Sequence, residues 1–260
     1  MNPLESLAEQ VPHLQHSFDS AFVFGSGSFG MTQYVLWMII CFLITLAVVL
    51  AASKRLTLIP TNKFASMVEY GYEFVKKDMG ESAIGHGYKR HLPFLATLFF
   101  FILISNFVGL IPGCKTPTGS ISITWALAAI SFVYFIYWGI RAKGLGGYLK
   151  SFAPSGLPVV MVPLVGVLEL FSTVLRVLTL AVRLYGNMFA GHMVLGIFAL
   201  LTSMFIGSAI QGAPVDGAIS IAWVLFLFAM YALEVLVAFL QAYVFTILSA
   251  VYIGLATSDH

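Results

Sequence analysis

The sequence has little charge: Asp, Glu, Lys and Arg make up 9% of its 260 residues, against about a quarter in soluble domains. A chain so poor in charge cannot cover a water-facing surface, which excludes a soluble globular protein. Its 13 basic and 11 acidic residues leave a net charge of +2, too small for a nucleic-acid partner. Cysteine is scarce as well. Cys41 lies inside an apolar run and Cys114 in a short loop, so neither a disulfide nor a thiolate metal site has the spacing it needs. There is no His-Glu-x-x-His, no Cys-x-x-Cys and no phosphate-cradling glycine motif. The interior of the apolar runs holds one histidine, His192, too few for bis-histidine haem ligation. No cofactor or metal is expected. Residues 1–33 contain no Lys or Arg, and so offer neither the basic start of a signal peptide nor the arginine-rich look of a transit peptide.

What the sequence has in abundance is apolar side chains, 60% of the total. Runs over 34–53, 91–111 and 121–141 are each long enough to cross the bilayer core as one helix. Two further runs, 157–206 and 217–256, would measure roughly 75 and 60 Å as continuous helices, about twice the thickness of that core. Each is either two spans or one strongly tilted helix. Between the first two spans, Phe64, Met67, Val68, Gly71, Phe74 and Val75 recur at three-and-four spacing after Pro60-Thr61, which predicts an amphipathic helix over 61–79 lying on the membrane surface or against other protein.

The Lys and Arg distribution decides between one and two crossings. The tail 1–33 and the turn 207–217 carry none, whereas 54–91 carries Lys54, Arg55, Lys63, Lys76, Lys77, Lys89 and Arg90, and 141–156 carries Arg141, Lys143 and Lys150. By the positive-inside rule the tail is outside, both basic segments are inside and the C-terminus is inside. That alternation requires each over-long run to cross once. The predicted fold is all-α, a single polytopic membrane domain over 1–260: three transmembrane helices, an amphipathic surface helix, and two long, strongly tilted helices forming a hairpin.

Few ionisable side chains lie in the apolar runs. Glu169, Arg176 and Arg183 are seven residues apart in turn, so they stack along one face of a helix. Arg183 lies roughly 40 Å of helix beyond the start of its run, too deep to reach the interface easily, and a charged side chain at that depth points to function. Gly186, Ala190 and Gly191 thin the surface beside it, as small residues do where another helix approaches. His192 and Glu234 lie about equally far from the 207–217 turn, so an antiparallel hairpin brings them alongside each other. A histidine and a carboxylate in partly desolvated contact have the proton affinities that a relay needs. Asn187 and Gln241 add amides able to orient water or a guanidinium, and Gln241 shares a face with Glu234.

The string Arg183-Leu-Tyr-Gly-Asn187-Met-Phe-Ala-Gly191-His192, with Leu240-Gln241-Ala-Tyr-Val-Phe-Thr-Ile-Leu248, resembles subunit a of the F-type ATP synthases. Leu103-Ile-Ser-Asn-Phe-Val-Gly-Leu-Ile-Pro112 and Val167-Leu-Glu169-Leu170 are similar to that family too. The resemblance covers almost the whole chain and is weakest over residues 1–30. It implies two long tilted helices embracing a ring of small proteolipid c subunits, with peripheral-stalk b subunits, the rest of the synthase and membrane lipid as further partners. Arg183 matches the family's essential arginine, which faces the ring carboxylates between two aqueous half-channels. Glu169 matches an acidic residue of the inner half-channel and Arg176 a basic position before the essential arginine. Asn187, His192, Glu234 and Gln241 match the outer half-channel and the amide that supports the arginine. Many bacterial members carry the acid on the first long helix and the histidine on the second; here the order is reversed, as in mitochondrial relatives. Ser120 and Ser122 replace an Asp and an Asn often found before the third span, which leaves no carboxylate at that outer entrance.

The resemblance thus implies a non-catalytic, proton-translocating stator subunit, most simply of a bacterial inner membrane, with the mitochondrial inner membrane as alternative. A second reading treats Arg183 as the anion anchor of a secondary transporter, which calls for inverted repeats and broken Gly/Pro helices at matched positions. The sequence shows neither.

Overall fold

Hydrocarbon offers no partner to a backbone amide, so a chain this apolar must close its hydrogen bonds within each segment, as a helix does. The computed structural model describes residues 22–24, 31–53, 63–151, 161–210 and 214–257, and these are helical almost throughout. Among the described residues, five helices are long and apolar enough to cross a membrane. One departure from an all-helical chain is a two-stranded antiparallel ribbon, β1 (Phe22–Phe24) and β2 (Met31–Thr32), which leads directly into the first helix. The remainder of the N-terminal tail, Lys54-Arg55, the Pro60-Thr61 start, residues 157–160 and the hairpin tip at 211–213 lie outside the described residues.

Helix α1 (Gln33–Ser53) is apolar on every side, the pattern of a lipid-facing span. α2 (Lys63–Phe74) is amphipathic and packs Ala65 and Val68 inward while Met67 and Tyr70 stay exposed. It continues through a π-helical turn, Val75–Glu81, whose Val75 and Met79 are buried. The surface helix is therefore docked on the protein along one edge, with α1 and α3 as neighbours. α4 (Ile121–Ser151) runs ten residues past the expected end of its span; Gly144, at φ 72°, breaks its helical backbone there. α5 (Val162–Ile210) and α6 (Pro214–Thr257) have 49 and 44 residues, about 74 and 66 Å of helix. Both are continuous, so neither run forms two separate helices.

α3 (Leu92–Gly109) stands at the centre, with Leu95, Ile102, Ser105 and Asn106 fully buried. In a membrane the hydrophobic effect does little to hold helices together, and close packing with buried hydrogen bonds takes over. Asn106 supplies two of them: its Nδ2 donates to the Ala238 carbonyl of α6 at 3.1 Å, and its Oδ1 accepts from Thr118 Oγ1 at 2.7 Å. Thr118 in turn lies 2.9 Å from Thr116 Oγ1, which donates to the Ser105 carbonyl. One side chain thus ties α3, the 110–120 loop and α6. A second link, Ser131 Oγ to Ser249 Oγ at 2.9 Å, joins α4 to α6.

Asn106→Leu removes both bonds and is expected to destabilise the protein by about 1–3 kcal/mol. The measurement is the unfolding midpoint of the detergent-solubilised protein, and an unchanged midpoint would mean that Asn106 does not hold the bundle.

Candidate functional site

All seven residues singled out from the sequence fall on the two long helices: Glu169, Arg176, Arg183, Asn187 and His192 on α5, Glu234 and Gln241 on α6. The pair runs antiparallel, and contacts spaced along it fix the register. Arg176 lies 5.8 Å from the Tyr252 ring, the Glu234 carboxylate lies against Gly191, and Phe198 lies 5.7 Å from Trp223. From Gly191 to Arg183 is eight residues and from Glu234 to Gln241 is seven, so that register sets Gln241 level with Arg183.

Arg183 is exposed, and among the described residues it makes no ion pair or hydrogen bond. Its surroundings are apolar. Val182 and Leu178 on α5 and Leu236 and Leu240 on α6 are exposed as well, so the guanidinium projects from a face made for hydrocarbon or for another protein. Gly186, Asn187 and Ala190 follow at helical spacing on the same side, leaving a shallow strip. The acid below it is already engaged: Arg176 Nη2 donates to Glu169 Oε1 at 3.1 Å, with both side chains partly exposed. The predicted three-residue stripe is therefore one ion pair plus one free cation.

At the other end of the stripe the polar groups turn inward. Glu234 and Gln241 are buried at 4% and 6% exposure. Glu234 Oε1, Gln241 Nε2 and Asn187 Nδ2 are buried without a hydrogen-bond partner among the described residues. Most buried polar groups in proteins are satisfied, so three such orphans on one helix pair set this stretch apart. Glycine at 191 is what admits Glu234, because a Cβ there would overlap its carboxylate.

His192 and Glu234 come within electrostatic reach of each other, but no hydrogen bond joins them. Instead the imidazole faces two carbonyls: Nδ1 lies 2.8 Å from the Met188 oxygen and Nε2 2.9 Å from the Gly109 oxygen. Carbonyls only accept, so the ring can bond to both at once only when both nitrogens carry protons. Gly109 ends α3, where backbone carbonyls lack helical partners and bear partial negative charge. Tyr231 of α6 caps the same end by donating to the Leu110 carbonyl. α5 and α6 thus both close on the terminus of α3.

Two contributors were missed from the sequence. Asn106 lay in the Leu103–Pro112 string without an assigned task, and Tyr231 passed unremarked. Tyr231 is three residues before an intramembrane Glu, hence on the same helix face, and that spacing was the available signal. Asn106 had only its polarity within an apolar span.

Comparison with known proteins comes down on one family. The family model for the ATP synthase A chain matches residues 35–254. "ATP synthase subunit a" of Bartonella tribocorum is 39% identical over 230 residues, covering 88% of this chain and 88% of its own length. The protein of the same name from Chloroherpeton thalassium is 38% identical over 242 residues, covering 91% of this chain and 70% of that one. That of Brucella canis is 42% identical over 198 residues, covering 76% of each.

The half-exposed geometry of Glu169–Arg176 sets its strength. A double-mutant cycle with Glu169→Gln and Arg176→Gln is expected to give a coupling below about 1 kcal/mol in the stability of the solubilised protein; a coupling of several kcal/mol would make the pair structural.

Proposed function

The chain belongs to the ATP synthase A chain family and is an integral membrane subunit of the ATP synthase complex, and on that footing we propose that it is the stator's proton-channel subunit. In this reading two offset half-channels load and unload the carboxylates of a rotating c-ring, and Arg183 keeps them apart. The observation that carries it is the unpaired guanidinium on an exposed apolar face of α5. A cation facing hydrocarbon costs a few kcal/mol or more, and a carboxylate presented by a neighbouring subunit removes that cost.

The distribution of polar groups supports two separate paths. Glu169 and Arg176 precede Arg183 on α5, whereas Asn187, His192 and Glu234 lie toward the other end of the hairpin. Seven residues are about 10 Å of helix, so each set is offset from Arg183 along the membrane normal. With the basic segments inside, Glu169 and Arg176 line the inner path and His192 and Glu234 the outer one. His192 and Glu234 lie beside each other without sharing a proton directly, so a water between them completes the relay; the orphaned Glu234 Oε1 is available to it. Gln241, level with Arg183, has an unpaired amide with which to orient the ring carboxylate or the water beside it.

Arginine suits the barrier because its guanidinium stays protonated at any accessible pH and so cannot itself hand a proton across. A ring carboxylate that has released its proton to one path is attracted past Arg183 and takes up a proton from the other. Each proton crossing is worth about 2.3 kcal/mol per 100 mV of membrane potential, and several together drive one ATP synthesis. The chain itself is non-catalytic. Its place is the bacterial plasma membrane, N-terminus outside and C-terminus inside. The anion-transporter reading has no such support, since α5 and α6 are unbroken.

Two measurements on membrane vesicles bearing the assembled complex check this reading. Arg183→Ala is expected to reduce ATP-driven proton pumping to background while the complex still assembles, and coupled pumping that persists would sink the assignment. Gly191→Ala displaces the Glu234 carboxylate and is expected to slow coupled proton transport roughly tenfold or more, as ångström misplacements of reacting groups do; an unchanged rate would take Glu234 off the path.

A further inference from the structure

Away from the long hairpin, the inner ends of α3 and α4 gather a cluster that proton translocation does not use. The Arg90 guanidinium lies 4.2 Å from the Trp138 ring centroid, and that of Arg141 lies 5.4 Å from the same ring. Arg141 also donates to Tyr137 at 2.9 Å. Both arginines are exposed, and among the described residues neither pairs with a carboxylate. Two guanidiniums on one indole repel each other and together attract an anion with several acceptor oxygens. The platform beneath them is fixed. His91 meets Trp138 edge-on at 5.1 Å, and its Nδ1 lies 3.2 Å from the Tyr134 hydroxyl.

An apolar cleft of about 490 Å³ adjoins this corner, between α1, α3 and α4, with Ile39, Phe42, Thr97, Phe101 and Ile130 among its walls. Phe94 connects the two: it lines the cleft and stacks on Tyr134 with centroids 3.8 Å apart. The cleft therefore begins one helical turn from Arg90. It runs past Phe101, roughly 16 Å of helix from Arg90, to Met38 and Ile123 near the far ends of α1 and α4, so an acyl chain held at Arg90 would lie along its near part.

We propose that this corner binds an anionic phospholipid, its phosphate between Arg90 and Arg141 and an acyl chain in the cleft of α1, α3 and α4. A small soluble anion would leave the cleft unfilled, and a zwitterionic lipid would leave the paired guanidiniums uncompensated. Basic pockets between helices on the inner side of a membrane suit such head groups. The site is independent of the proton path and stands or falls apart from it.

The test uses the whole complex in phosphatidylcholine nanodiscs, a photoactivatable diacyl phosphatidylglycerol as probe, and peptide mapping of the labelled chain. Label is expected within 90–101 and 130–141. Arg90→Gln with Arg141→Gln should lower it about fivefold per charge, roughly twenty-five-fold for both, whereas Arg90→Lys with Arg141→Lys should retain most of it. Thr97→Phe, which fills the cleft and leaves both charges, should also lower it. Equal labelling by a photoactivatable phosphatidylcholine, or labelling indifferent to the double glutamine variant, overturns the proposal. So does a photoreactive amino acid at position 97 that captures only polypeptide in the intact complex, which would give the cleft to a partner's helix.

Discussion

Hydrocarbon does not solvate a guanidinium, and the rest of this structure is arranged around that constraint. Among the described residues Arg183 has no counter-charge, because the one acid on its stripe, Glu169, is taken by Arg176. The remaining buried acid, Glu234, is turned toward Gly191. Both arrangements leave the cation uncompensated among the described residues. Family membership supplies the setting, the membrane part of the ATP synthase complex.

A face that must stay open cannot also hold the protein together, so cohesion is moved elsewhere. Little of the two long helices is fully buried, whereas α3 is the most deeply buried span. Its Asn106 and Thr118 network, the His192 bond to Gly109 and the Tyr231 bond to Leu110 all act at or near one end of that helix. This division has a physical basis. Hydrogen bonds between helices are directional and survive without water, so a few of them fix the spacing of α5 and α6 and free the outward surfaces for a partner. His192 serves both sides at once, since the ring nitrogen bonded to Gly109 belongs to the same imidazole that stands beside Glu234.

Much of the fold was legible because its signals are local. Apolar runs set the spans, the Lys and Arg distribution gave each long run one crossing, and both long helices are unbroken. The seven-residue spacing placed Glu169, Arg176 and Arg183 on one face, and the hairpin's symmetry brought Glu234 next to His192. Hydrogen-bond choice was not legible. Nothing in the spacing of His192 and Glu234 says that backbone carbonyls will compete for the imidazole, because Gly109 lies 83 residues away in the chain. Nor did the sequence mark the Trp138 corner, whose two arginines come from segments fifty residues apart and meet only when α3 and α4 pack.

The sequence by itself determined that this protein lives in a membrane, how its helices are divided, and which intramembrane charges need an explanation. These follow from composition and periodicity, which are properties of a segment. Tertiary structure alone decided which charges pair and which are left open: Arg176 with Glu169, Arg183 with nothing among the described residues, His192 on the end of α3, Glu234 against a glycine. A side chain's partner depends on distances between segments far apart in sequence, and those distances are set by packing.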